Sequence, residues 1–153
     1  MTITEPKLKQ DHLAAVKIDR LQMVKNLAQV IFDKKGRNII AFDTMYTTSL
    51  FDYCIIAEGF VDKHVQAIST EIKHYMQDHG EYPFYIEGQN TGLWIALDYS
   101  DIVIHLFEPE MREKYQLERV WAGAPIIDLG IDTEVIQSND NDSRLYPVPQ
   151  HSL

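Results

Sequence analysis

The 153-residue chain has one cysteine, Cys54, so it can form neither an internal disulfide nor a four-thiolate metal site. Neither crosslinks nor structural zinc are expected to hold the fold. No stretch approaches the ~20 uninterrupted apolar residues of a membrane span. The N-terminal MTITEPKLKQ has neither a signal peptide's apolar centre nor a transit peptide's arginine-rich character, and a cytoplasmic protein is the expectation. Basic residues are few: 14 Lys+Arg stand against 23 Asp+Glu, a formal net charge of −9. Phosphate-dominated affinity needs a basic footprint, so little direct nucleic-acid binding is expected and a basic protein suits the chain better. The chain also lacks a glycine-rich phosphate loop, an H-E-x-x-H motif and a thiol pair, and no cofactor or metal is assigned. What remains, 45% hydrophobic and 24% charged residues, is enough for one globular domain with one sizeable core.

Apolar residues at Leu21, Val24, Leu27, Ala28 and Ile31 predict an amphipathic helix from about Ile18 to Lys35, closed by Lys34-Lys35-Gly36. The apolar runs Asn38–Phe42 and Tyr53–Ala57 suit strands inside a covered sheet. A second helical stripe, Val61, Val65, Ile68, Ile72, Tyr75 and Met76, predicts a helix from about Asp62 to Asp78. Three strands follow over Phe84–Glu87, Leu93–Asp98 and Ile102–Phe107, separated by hairpin turns at GQNTG (residues 88–92) and Tyr99-Ser100-Asp101. Pro109 fits the first turn of a short helix reaching about Tyr115, with Leu117–Trp121 packing it down. The order is α-β-β-α-β-β-β-α. A βαβ crossover followed by a meander implies the α/β class, with one mixed sheet packed by helices. The expected organisation is an N-terminal extension over 1–17, a domain over 18–122 and an acidic tail over 123–153. That tail, with SNDNDS and YPVPQ, reads as flexible past Ile136.

Chemistry-bearing residues are scattered. GQNTG precedes a strand, offers no helix N-terminus to an anion, and reads as a turn. Cys54, within Tyr-Cys-Ile-Ile, reads as a small apolar core residue and not a nucleophile. His105, between Ile104 and Leu106, fits a hydrogen-bonded structural histidine better than a ligand or base. Asp43, Asp52, Asp98 and Asp101 flank strands, where acids also serve turns and caps. Strand alternation puts Trp94, Ala96 and Asp98 on one face and Ile95, Leu97 and Tyr99 on the other. Trp94 therefore shares a face with a carboxylate. Two readings of it stand: an exposed aromatic, or core beneath a helix.

The run Asp52 to Gly59 (DYCIIAEG), then His64-Val65-Gln66-Ala67-Ile68, Glu87-Gly88 and Trp94 to Phe107 (WIALDYSDIVIHLF) resembles the ribosomal silencing factor (Iojap-related) family. Glu110, Arg112, Tyr115, Leu117-Glu118 and Trp121 continue the likeness, which covers about Asp19 to Ala122. Departures are Ser100, where the family turn usually reads Asp-x-Gly-Asp, and Glu58 and Phe60, where small polar residues are usual. The resemblance implies a mixed five-stranded α/β domain akin to the nucleotidyltransferase fold but without its active site. It implies binding to the large ribosomal subunit through the ribosomal protein numbered fourteen, on the face that meets the small subunit. Occupying that face would block subunit joining and repress translation without any chemistry. Carried over by motif, the contact surface is Trp94, Asp98, Tyr99 and Asp101, with Glu87 nearby. Two alternatives carry different tests. A nucleotidyltransferase-like enzyme using Asp43 and Asp52 would incorporate nucleotide in a metal-dependent way. A homodimeric scaffold would use the Trp94 surface for self-association.

Overall fold

The computed structural model describes residues 20–131, so the readings of residues 1–17 and of the tail past Ile136 lie outside the described residues. The first stripe forms helix α1, Arg20–Asp33, which buries Val24, Leu27, Ala28 and Ile31. The second forms α2, Asp62–Asp78, which buries Val65, Ile68, Ser69, Ile72 and Met76. These three- and four-residue spacings gather the apolar side chains along one side of each helix. Gly80, at φ 76°, ends α2: its N–H bonds the Gln77 carbonyl at 2.9 Å and the Glu81 N–H bonds that of Met76 at 2.8 Å. This left-handed closure satisfies two carbonyls that the last turn would leave open.

Five strands make one mixed sheet: β1 (Arg37–Asp43), β2 (Tyr53–Glu58), β3 (Tyr85–Glu87), β4 (Trp94–Asp98) and β5 (Ile102–Phe107), in spatial order β1-β2-β5-β4-β3. The β2–β5 pair is parallel and the others are antiparallel. The crossover through α2 therefore does not return beside β2. It lands at the far edge as β3, and the β3-β4-β5 meander walks back to seat β5 against β2. Alternation gives the sheet two apolar faces. Ile55, Ala57, Ile95, Leu97, Ile104 and Leu106 pack with α1 and α2, whereas Phe42, Cys54, Ile56 and Phe107 form a smaller cluster on the other side. That second side is covered by α3 (Pro109–Tyr115) and the 3-10 turn Leu117–Trp121, through Met111, Leu117 and Trp121.

The sequence reading placed the first strand inside the sheet, but β1 lies at its edge. Chain beyond residue 122 borders it: the Asp43 N–H bonds the Pro125 carbonyl at 2.9 Å, and the Ile127 N–H bonds the Ala41 carbonyl at 2.9 Å. Ala124 is buried and Ile127 and Leu129 pack on the core, so the packed chain continues past the expected boundary at 122. These contacts occupy backbone groups that a bare edge would leave open.

Ser100, in the β4–β5 turn, adopts φ 79°. Its N–H donates to Asp98 Oδ1 at 2.7 Å, a bond that needs only backbone at position 100. A left-handed residue with a Cβ carries a penalty that glycine avoids, partly offset by glycine's greater freedom when unfolded. Ser100→Gly is therefore expected to stabilise the fold by about 0.5–1 kcal/mol. A lower urea midpoint for the variant would contradict this account.

Candidate partner-binding face

Because α3 covers the β1–β2–β5 side of its face, the β3–β4 side carries an aromatic group only partly enclosed. Trp94 stands opposite Phe107 across the β4–β5 pair, and their rings stack with centroids 4.8 Å apart at 27°. Tyr115, at the end of α3, closes a second side at 5.1 Å and 43°. Two residues before Phe107, His105 Nδ1 accepts the Trp94 indole N–H at 3.0 Å. Tyr85 pairs with Asp98, and Glu87 pairs with Ala96, so these two of the three β3 residues share the Trp94 face. Tyr85 is 56% exposed and neighbouring Phe84 is 84% exposed. Gly88, at φ 84°, turns the chain directly behind Trp94, where a Cβ would run into the Trp94 carbonyl oxygen. The face thus combines half-buried and exposed rings with the carboxylates of Glu87 and Asp98.

Burial pulls the His105 imidazole down to about 4, against an opposing attraction from Asp98. The ring is thus neutral at physiological pH, and bonding at Nδ1 places its proton on Nε2. Between its unfolded value of about 6.5 and its folded value of about 4, the unfolded chain binds the extra proton. His105 therefore contributes stability above pH 6.5 that is lost as pH falls through that window, on the order of 3 kcal/mol by pH 4. From pH 7 to 4 the unfolding free energy of the wild type should fall relative to that of His105→Asn, which has no ring to titrate. Parallel curves would remove this linkage.

The residues carried over from the resemblance do not all meet. Trp94 and Asp98 share the open face, and Glu87 is exposed on it. Trp94 lies between full exposure and full burial: it is partly buried, with Phe107 on one side and Tyr115, from the end of α3, on another. Tyr99 is a correction. It is 5% exposed and belongs to the core beneath α1 and α2, as β4 alternation requires, and its phenol is pushed up to about 12 by burial and then by Glu81. Asp101 is engaged within the fold: Arg20 Nε and Nη2 donate to its two carboxylate oxygens at 2.7 and 2.8 Å, and Arg20 Nη1 donates to Glu81 at 2.6 Å. That cluster ties the first turn of α1 to the end of α2 and to the β4–β5 turn. Sequence reasoning passed over Phe107, Tyr115 and His105 as the frame of Trp94. The period-two series Val103, His105, Phe107 was the signal for two of them.

Elsewhere the chemistry is quiet. Cys54 is fully buried and pushed up to about 12 by that burial, with the Trp121 side chain opposing, as its reading as a core residue expects. Among the described residues no three His, Cys, Asp or Glu side chains gather as a metal site would need. No helix among them is long and apolar enough to cross a membrane.

The model of the family described as ribosomal silencing factor during starvation matches residues 17–148. The chain belongs to the ribosomal silencing factor family. The match reaches past Ala122 into the acidic tail. The ribosomal silencing factor RsfS of Bacillus subtilis is 34% identical over 112 residues, which are 73% of this chain and 95% of that protein. A crystal structure of a Chromobacterium violaceum protein is 30% identical, covers 74% of this chain and 94% of its own, and superposes with a TM-score of 0.63. The mouse mitochondrial assembly of ribosomal large subunit protein 1 is 29% identical over 72% of this chain and 48% of that protein. Membership gives the chain a ribosome-associated silencing role, in a family named for silencing and not for a catalysed reaction. In this silencing factor Glu58 and Phe60 share one basic neighbour, Arg37. Glu58 is buried against Arg112 and Arg37, and the Arg37 guanidinium lies 4.2 Å from the centre of the Phe60 ring.

Proposed function

We propose that this silencing factor represses translation by binding the large ribosomal subunit through the ribosomal protein numbered fourteen, where it sterically blocks the small subunit. The family match carries this reading. The geometry supports it with an incompletely covered sheet face that offers an aromatic centre and an acidic border. Specific interfaces bury roughly 1,200–2,000 Å² around such anchors, and a basic ribosomal protein complements a chain of net charge −9. The name of the mouse relative also points to the large subunit. The mechanism is occupancy: it needs no cofactor or catalysed step, and it operates in the cytoplasm, where subunits join.

Order of addition tests it. Protein added to isolated large subunits before small subunits should shrink the joined-ribosome peak in a sucrose gradient, while protein added to preformed ribosomes should change it little. Equal effects in both orders would refute blocking of the joining face. Metal-dependent nucleotide incorporation by the pure protein, abolished by Asp52→Ala, would favour an enzyme instead.

A further inference from the structure

A tryptophan at an interface ordinarily offers a partner both an apolar ring and an N–H donor. In this chain the donor is already spent inside the fold, at 3.0 Å from His105 Nδ1. We propose that His105 is a positioning residue, which fixes the Trp94 ring by accepting its N–H so that the partner receives the indole through apolar contact alone. The inference rests on the reading of Trp94 as the anchor for the large subunit.

Three contacts make the arrangement specific. Phe107 fixes the ring plane, Tyr115 limits its outward swing, and His105 selects the side to which the N–H points. An anchor already held in its binding rotamer loses less freedom on association. The bond requires an uncharged imidazole, because a protonated ring would set an N–H against an N–H. The surroundings favour that state. Ile56 on β2 and Ala96 on β4 stand beside His105 in register, and Val103 and Phe107 flank it on its own strand. The ionisable groups on this face are Asp98 on β4, Glu87 and Tyr85 on β3, and Tyr115 on α3, with Lys114 placed 5.4 Å from the Tyr115 ring centre. Glu58 on β2 is held by Arg112. The bound acceptor also defines the partner's chemistry: the pocket that takes the indole need not present a hydrogen-bond acceptor to it.

Two substitutions separate acceptor from filler. In His105→Asn the amide oxygen can take the place of Nδ1, whereas His105→Leu fills space and cannot accept. Binding to isolated large subunits should fall about tenfold in His105→Leu and stay within about threefold of wild type in His105→Asn. In a Trp121→Phe background, the Trp94 indole N–H resonance should stay downfield and slow to exchange in wild type and His105→Asn, and lose both properties in His105→Leu. Folded His105→Leu that binds as wild type does, or equal losses in both variants, would overturn the proposal. The nitrogen shifts of the wild-type ring give a readout free of any variant: Nδ1 should be unprotonated and Nε2 protonated at neutral pH, and the opposite tautomer overturns it. If the wild type fails to sediment with large subunits, the functional reading falls by itself, while the resonances still decide whether His105 positions Trp94.

Discussion

Arg112→Ala is expected to cost about 3–5 kcal/mol of folding stability, although Arg112 lies outside the open face. Arg112 is 8% exposed on α3, and its guanidinium reaches three elements: Nη1 donates to Glu58 at 3.1 Å and to the Asn38 carbonyl at 2.6 Å, and Nε donates to Glu118. Glu58 and Glu118 are 5% and 6% exposed. Truncation would leave Glu118 buried without its partner and Glu58 with only Arg37, at 3.7 Å. Desolvation of a stranded carboxylate is what makes such a loss large, more than the Coulomb energy of the pair itself. Asn38 adds to the effect, since it sits at φ 51° in the irregular step of the β1–β2 pairing and loses a charged donor to its carbonyl. Stability of ordinary domains is ~5–15 kcal/mol, so the variant should be marginal or unfolded at 37 °C. The triple variant Arg112→Met, Glu58→Gln, Glu118→Gln should recover much of the loss, because no buried charge is left unpaired. Denaturant midpoints measure both. A cost under about 1 kcal/mol for Arg112→Ala would mean that water reaches the cluster. The consequence extends to function, because α3 carries Tyr115 to Trp94.

What the sequence disclosed and what it hid divide along the range of the interactions. The α2 stripe and its stop were legible, because the periodicity of Val65 to Met76 and the glycine at 80 are local signals. The position of β1 was not. Both faces of that strand are apolar, with Ile39 and Ala41 toward the helices and Ile40 and Phe42 toward α3, so its pattern matches a central strand. Edge and centre differ in backbone partners, which hydrophobicity does not record. Likewise, the β2–β5 pairing joins strands separated by α2 and two others, and nothing local encodes it. At the site, alternation placed Trp94 with Asp98 and against Tyr99, and the geometry follows it over the motif-based inclusion of Tyr99. Asp101 reads as a free turn acid until Arg20 is brought to it across 81 residues of chain. The frame of Trp94 needed three such meetings at once, on β4, β5 and α3.

Trp94→Ala should lose in two equilibria, and their separation decides whether the face binds. Half-buried against Phe107, Tyr115 and His105, the indole contributes less to folding than a fully enclosed ring, so its removal should cost about 2 kcal/mol of stability, below the ~3–5 typical of core aromatics. Binding to large subunits should fall by a further ~2 kcal/mol or more, about thirtyfold, when compared at a temperature where the variant is folded. Trp94→Phe refines the comparison. It can keep the stack on Phe107 while giving up the bond to His105, so it should fold nearly as well as wild type and recover part of the lost affinity. Urea unfolding and gradient binding of the same preparations give the two numbers side by side. If folded Trp94→Ala bound large subunits as tightly as wild type, the ring would be scaffold for the open face and the anchor would lie elsewhere. If instead affinity collapses in a variant that remains folded, the loss cannot be charged to unfolding, and the exposed part of the indole is where the partner meets the sheet.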